Sequence, residues 1–450
     1  MQGTEYSAQN ESLPRAGLWS SLPLAHPNKQ VCRGPRVREA AQMPNVWKQE
    51  RNLMKKVIAI VIVFILVLVI FGIIEWIQYK NQKDDVGADF ASALVSNEIQ
   101  TSTKTNEPIT INMAVVGDII CHNTQYWDVY NKQTDTYDFS PVFTEIKQYI
   151  ENADIAVGNL ETSFAGKMAG YSSYPMFNTP EELAANLKDI GFDVLSDANN
   201  HALDKGYAGI VSTINFLDQA GISHVGTYTS EEARNTVLVK DVNGIKLAFL
   251  SYTYGTNGIS IPNGKDYCIN LIDKGEIAQD IQNAKAQDVD GIVCFMHWGT
   301  EYSPVETAEQ KDLTDFLFKN GVDIILGSHP HVLEPMEKVD VTTNDGEQKQ
   351  CFVCCCLGDF MSDQRVEDEI TSAILNIQIT KTENGKIDIG DVTYTPIYTQ
   401  NDYKGIASHF IIRDVNKDIA AYENGDKSIS TGLYQRLVNA RDLAEKRLGQ

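Results

Sequence analysis

From residue 111 onward, short apolar runs alternate with stretches of helical period. The segments INMAVVGD (111–118), ADIAVGNLE (153–161), FDVLSDANNH (192–201), DGIVCFMHWG (290–299) and VDIILGSHPH (322–331) each predict a buried strand ending in polar residues. Between them lie amphipathic stretches such as PVFTEIKQYIEN, TPEELAANLKDIG, GYAGIVSTINFLDQAG and TAEQKDLTDFLFKNG. The second opens on Pro180 and closes on Gly191, the punctuation expected of a helix. Two hairpins interrupt the alternation, turning at Asn243-Gly244 and Asn384-Gly385, and a further turn is expected at Asn344-Asp345-Gly346. The pattern predicts an α/β fold whose sheets are mixed rather than purely parallel, with a last helix over 430–448 on the outside.

The first hundred residues follow another pattern. Residues 57–77 are apolar at every position except Glu75, long enough to cross a bilayer core of about 20 helical residues. Arg51, Lys55 and Lys56 precede this run; Trp76 and Tyr79 mark its far end; Lys80 and Lys83 weaken the charge bias there, but Asp84, Asp85 and Asp89 follow them. The bias predicts a single-pass signal anchor with the bulk of the chain outside the cell membrane. The expected organisation is a disordered cytoplasmic segment or misassigned start over 1–53, the transmembrane anchor over 54–79, and a polar tether over 80–108. A main domain over 109–412 and a helical extension over 413–450 complete it.

Charge narrows the partners. A formal net charge of −22 opposes non-specific binding to nucleic acid, so an anionic substrate must be met by local cations or by metal.

The predicted strand tips supply the means. In open α/β sheets ligands bind at the carboxyl ends of the strands, and five such ends here carry side chains that bind metal or move protons. Asp118 follows Gly117, with His122 four residues on; alone, Asp118 suits a turn cap as well as a hard oxygen ligand. Asn159 and Glu161 share one side of an extended chain, and a carboxylate there can bridge two cations. In Asn199-Asn200-His201-Ala202-Leu203-Asp204, an Asn carbonyl can ligate while His201 acts as proton donor, held by Asp204. His297 emerges from GIVCFM as an imidazole ligand. In GSHPH, an extended segment stiffened by Pro330 would put His329 and His331 on one side, serving one metal or two. His224 and His409 lack such company and read as structural.

The segments VVGDI, GNLET, ANNHALDKG, MHWGTEY and GSHPHVLEP resemble the bacterial capsule-synthesis CapA/PgsA family, within the calcineurin-like metallophosphoesterase superfamily. The later CLGDF is similar to that family's SLGNF, and the likeness spans about 111–365. It implies a metallophosphoesterase-like α/β/β/α sandwich and two divalent metal ions (Mn, Fe or Zn). Asp118 and His331 would serve one ion, and Asn200, His297 and His329 the other, with Glu161 between. His201, supported by Asp204, would protonate the leaving group. His122 departs from the superfamily's Asp-x-His spacing, and Asn159 with Glu161 stands where an aspartate pair is usual. The implied role is production of a poly-γ-glutamate capsule or another anionic envelope polymer, as a metal-dependent hydrolase or as a non-catalytic assembly and export subunit. Capsule synthetase subunits are the implied protein partners.

The stretch CFVCCCLGDF (351–360) holds half of the eight cysteines. On a strand, Cys351 and Cys354 face opposite sides, and no second pair completes a zinc site. The thiols read as packing in a central strand, with Asp359 an outer neighbour of the site.

Overall fold

The computed structural model describes residues 107–401 and 409–448. The expected membrane anchor, the segment before it and nearly all of the tether lie outside the described residues. Among the described residues no helix is long and apolar enough to cross a membrane.

The strands in chain order are β1 (Ile109–Ile119), β2 (Tyr130–Asn131), β3 (Thr136–Tyr137), β4 (Ile155–Leu160), β5 (Val194–Ser196) and β6 (Ser223–Val225). Next come β7 (Leu238–Val242), β8 (Ile245–Thr253), β9 (Gly291–His297), β10 (Ile324–Ser328), β11 (Met336–Thr342) and β12 (Gln348–Cys354). The last are β13 (Asp359–Met361), β14 (Thr371–Lys381), β15 (Ile387–Asn401) and β16 (Phe410–Asp414). One sheet runs β16-β15-β14-β1-β4-β5-β6, with β13 also paired to β1; the other runs β11-β12-β10-β9-β8-β7. Both are mixed: β1, β4, β5 and β6 run parallel, as do β8, β9, β10 and β12, while the hairpin strands pair antiparallel.

Alternation along the strands builds the layers. Met113 and Val115 of β1, Val157 of β4, Phe249 of β8 and Leu326 of β10 fill the core between the sheets. Ala114 and Val116, on the opposite face of β1, pack against the helix Glu182–Asp189 through Leu183 and Leu187. On the outer face of the second sheet, Leu250, Ile292 and Cys294 meet the helices Lys274–Lys285 and Ala308–Asn320. The result is helix, sheet, sheet, helix.

The cysteine stretch is only partly in an interior strand: Cys351 and Cys354 lie in β12, while Cys355 and Cys356 follow its end. β12 is paired on both sides, and all seven cysteines among the described residues are free and buried. The position expected to divide main domain from extension, 412/413, falls within β16, which is paired to β15. The final helix, Thr431–Leu448, buries Leu437, Ala440, Ala444 and Leu448.

Two local expectations change. The run 192–201 forms a strand only over Val194–Ser196; beyond it the Asp197 amide still donates to the Val225 carbonyl (3.0 Å), and its carboxylate accepts from the Thr227 amide (2.7 Å) and hydroxyl (2.5 Å). The HPH segment is not extended: His329 has φ +99° and His331 φ +61°. Non-glycine residues in that region cost on the order of 1–3 kcal/mol each and concentrate at functional sites.

Candidate metal centre

Parallel strand order brings the carboxyl ends of both sheets to one edge, where the polar tips converge. Asp118 on β1 is in register with Asn159 on β4 and with Asp359 on β13. His297 on β9 is in register with Ser328 on β10, one residue before His329. The two sheets join at Asp118, whose Oδ2 accepts the His329 amide at 3.1 Å while Oδ1 accepts from Asn159 Nδ2 at 2.7 Å.

Glu161 sits at the middle, fully buried. Its Oε1 lies 3.6 Å from His297 Nε2 and 4.0 Å from His331 Nε2. The other face of His331 meets Asp359 Oδ1 at 2.9 Å and Asp118 Oδ2 at 3.6 Å from Nδ1. His297 Nδ1 is 2.8 Å from the Ser328 hydroxyl, and its Nε2 is 2.8 Å from Asn200 Oδ1. The rings of His297 and His329 stand 4.9 Å apart.

Hydrogen bonding is incomplete where it should not be. Both oxygens of Glu161, His329 Nδ1, Asn159 Oδ1 and Asp359 Oδ2 are buried with no hydrogen-bond partner. Such atoms each cost about 1–3 kcal/mol unless something else satisfies them. Three sets of side chains bring one ligand atom each within 4.8 Å of one another: Glu161, His329 and His331; Asp118, His331 and Asp359; and Asp118, Glu161 and His297. Orphaned oxygen and imidazole nitrogen donors in overlapping sets fit divalent cations of the Mn, Fe or Zn type.

Burial and close charges shift the titration of the cluster's side chains. Burial, reinforced by Asp118, holds the Glu161 carboxyl well above the usual carboxylate range. Asp118 is pushed up to about 6 by burial, against the pull of His331. Burial disfavours the charge on His331, but Asp359, Glu161 and Asp118 outweigh it and hold this imidazole well above its ordinary value. His329 is pushed down to about 3 by burial and by its imidazole neighbours, and His297 is lowered for the same reasons. Both therefore stay neutral at ordinary pH, with a lone pair available for a cation.

Beside the cluster, His201 Nδ1 is 2.8 Å from Asp204 Oδ2, which also accepts the Phe177 amide at 2.6 Å. The edge-on ring of Phe177, 4.7 Å away, packs against the imidazole. Asn199 braces the turn by donating to the Leu160 carbonyl (2.7 Å) and accepting the His201 amide (3.1 Å). His201 directly follows Asn200, whose Oδ1 is 2.8 Å from His297 Nε2, which places it next to the cluster.

The structure thus gathers Asp118, Glu161, Asn200, His297, His329 and His331, with His201 and Asp204 alongside. His122 stands apart from the candidate ligand sets: its Nδ1 accepts the Asp363 amide at 3.1 Å. Asn159 serves Asp118 through its amide group. Three residues went unrecognised in the sequence as parts of the site. Ser328 orients His297, and the half-exposed Tyr254 and Tyr302 flank His329 and His331 at ring distances of 4.5 and 5.9 Å. Asp359 lies inside the cluster rather than around it.

Fold and site together define an α/β protein of two mixed sheets with a buried histidine–carboxylate centre at the strand tips. The family described as bacterial capsule synthesis protein PGA_cap matches residues 112–364, and the chain belongs to that family. It is 27% identical to the PGA biosynthesis protein CapA of Bacillus subtilis (strain 168), over 70% of this chain and 80% of that protein. It is 26% identical to the capsule biosynthesis protein CapA of Bacillus anthracis, over 63% and 67% respectively. Among solved structures, the calcineurin-like phosphoesterase YfkN of Bacillus subtilis aligns with a TM-score of 0.39 at 13% identity, covering 74% of this chain and 99% of that one. An NAD nucleotidase of Haemophilus influenzae aligns at 0.41 and 12% identity over 76% of this chain, which spans only 61% of the nucleotidase.

Proposed function

We propose that this chain is a membrane-anchored, extracytoplasmic metal-dependent hydrolase acting in production of poly-γ-glutamate capsule or a related envelope polymer. The observation that carries the chemistry is Glu161, whose two buried, unpartnered oxygens lie among Asp118, His297 and His331. Family membership supports the biological setting, and the apolar run 57–77 supports the anchor. Asp118, Glu161, Asn200, His297, His329 and His331 would hold two divalent cations. Such a pair supplies a water of lowered pKa and a clamp for the oxygens of a phosphoester, ester or amide.

The remaining steps belong to the chain. Asp204 fixes His201 through Nδ1, which leaves Nε2 to deliver a proton to the leaving group. Phe177 holds the ring in place and, with the buried Asn199 turn, keeps water from the Nδ1–Asp204 contact. Tyr254 and Tyr302, half-exposed beside His329 and His331, would offer aromatic surface to a polymer reaching the tips.

The test is hydrolysis of phosphodiester and γ-glutamyl substrates by the purified full chain, beside His201→Ala. Turnover lost in the variant with metal retained supports the hydrolase. Metal retained without any turnover in the parent chain, on either substrate class, refutes it and favours a polymer-handling subunit.

A further inference from the structure

We propose that Asp359 is itself a metal-binding carboxylate of this centre, offering Oδ2 beside Asp118 and His331. The inference rests on the metal reading above and extends it to a residue that the strand-tip pattern left outside.

Asp359 is completely buried, on the short strand β13 that runs parallel to β1. The two strands are held unusually close where the carboxylates meet. The Asp118 amide donates to the Gly358 carbonyl at 2.9 Å, and a Cβ on Gly117 would lie 1.9 Å from that same oxygen. Asp118 and Asp359 therefore lie side by side in register, out of water, where two like charges oppose each other and a cation beside them would offset the repulsion.

The partners of Asp359 are also those of a ligand rather than of a structural anchor. Two buried aspartates away from the centre, Asp197 and Asp323, use both oxygens. Asp197 accepts from the Thr227 amide and hydroxyl, and Asp323 from the Ile292 amide (2.8 Å) and Lys349 (2.6 Å). Asp359 uses one: Oδ1 meets His331 Nδ1 at 2.9 Å, while Oδ2 is buried with no partner, and the residue forms one of the candidate ligand sets with Asp118 and His331.

The test is Mn2+ affinity, measured by calorimetry on the purified full chain, for the parent, Asp359→Asn and Asp359→Ala. Asparagine retains an acceptor for the His331 Nδ1–H but removes the carboxylate. A ligand role predicts that both variants lose more than about 100-fold in affinity, beyond the roughly 10–100-fold that loss of an outer hydrogen-bond partner costs. Loss in Asp359→Ala with Asp359→Asn within about 100-fold of the parent would overturn the inference and leave Asp359 as an orienting acceptor only. A parent chain that binds Mn2+ no differently from Asp359→Asn overturns this inference alone; a parent that binds none overturns the metal reading with it. Circular dichroism in chelator checks folding. If Asp359→Asn does not fold, Asp359→Ser takes its place. Failure of both to fold without metal would mark the carboxylate as structural and overturn the inference.

Discussion

Replacing Glu161 with leucine should make the metal-free protein more stable and the metal-treated protein less responsive. The carboxyl is fully buried, and neither oxygen has a hydrogen-bond partner. Leaving such a group unsatisfied costs about 1–3 kcal/mol, and leucine fills a similar volume without it. His331 keeps Asp118 and Asp359 as counter-charges, so the substitution strands no imidazolium. Unfolding entropy of roughly 2.1 cal/mol/K per residue gives a domain of this size about 0.7 kcal/mol per degree. The metal-free variant should therefore melt about 1–4 °C above the metal-free parent. Cation at a thousand times its dissociation constant stabilises the parent by about 4 kcal/mol, or about 6 °C. The variant, lacking the central carboxylate, should gain little, so the order of the two melting curves reverses on adding Mn2+. Scanning calorimetry with chelator and with Mn2+ measures both. A metal-free variant that melts below the parent would refute the reasoning, as would equal metal-induced shifts.

Three further outcomes follow from the same geometry. Cation uptake should release protons, because Glu161 and His331 are held protonated and Asp118 titrates near 6 in the metal-free chain; affinity should rise with pH through 6, and a pH-independent affinity would contradict this. Glu334, pushed up to about 7 by burial, binds a proton in the folded state that the unfolded chain has already released between its ordinary 4.5 and 7. Its burden on stability therefore grows with pH through that window and is complete above it, reaching up to about 3 kcal/mol. Glu334→Gln should raise the melting temperature at pH 8 and scarcely at pH 4.5, and an equal rise at both would refute the assignment. Gly117→Ala would set a Cβ 1.9 Å from the Gly358 carbonyl, forcing β1 and β13 apart. It should cost about 1–3 kcal/mol or more in stability and weaken Mn2+ binding, whereas parent-like calorimetry would show that the close approach is dispensable.

The site was legible where a buried strand runs straight into its ligand. Asp118, Glu161 and His297 each follow a short apolar run, buried on both faces, whose polar end marks the strand tip. The layered fold was legible for the same reason, since Met113 and Val115 face one core and Ala114 and Val116 the other. What escaped depends on pairing between distant segments. Asp359 enters the cluster only because β13 lies beside β1, more than two hundred residues away in sequence. The repeated Gly-Asp at 117–118 and 358–359 was the one local hint. The HPH histidines reach the site through left-handed backbone, which an extended reading of the proline segment did not anticipate. Ser328, Tyr254 and Tyr302 are ordinary residue types whose roles come only from the rings beside them.

The central claim is that the buried histidine–carboxylate cluster binds metal. Elemental analysis of the full chain, purified without chelator and equilibrated with Mn2+, tests it most directly. The account predicts about two ions per chain and their loss in a Glu161→Leu, His331→Ala double variant that stays folded. A parent chain that retains no metal beyond the level of this variant would contradict it.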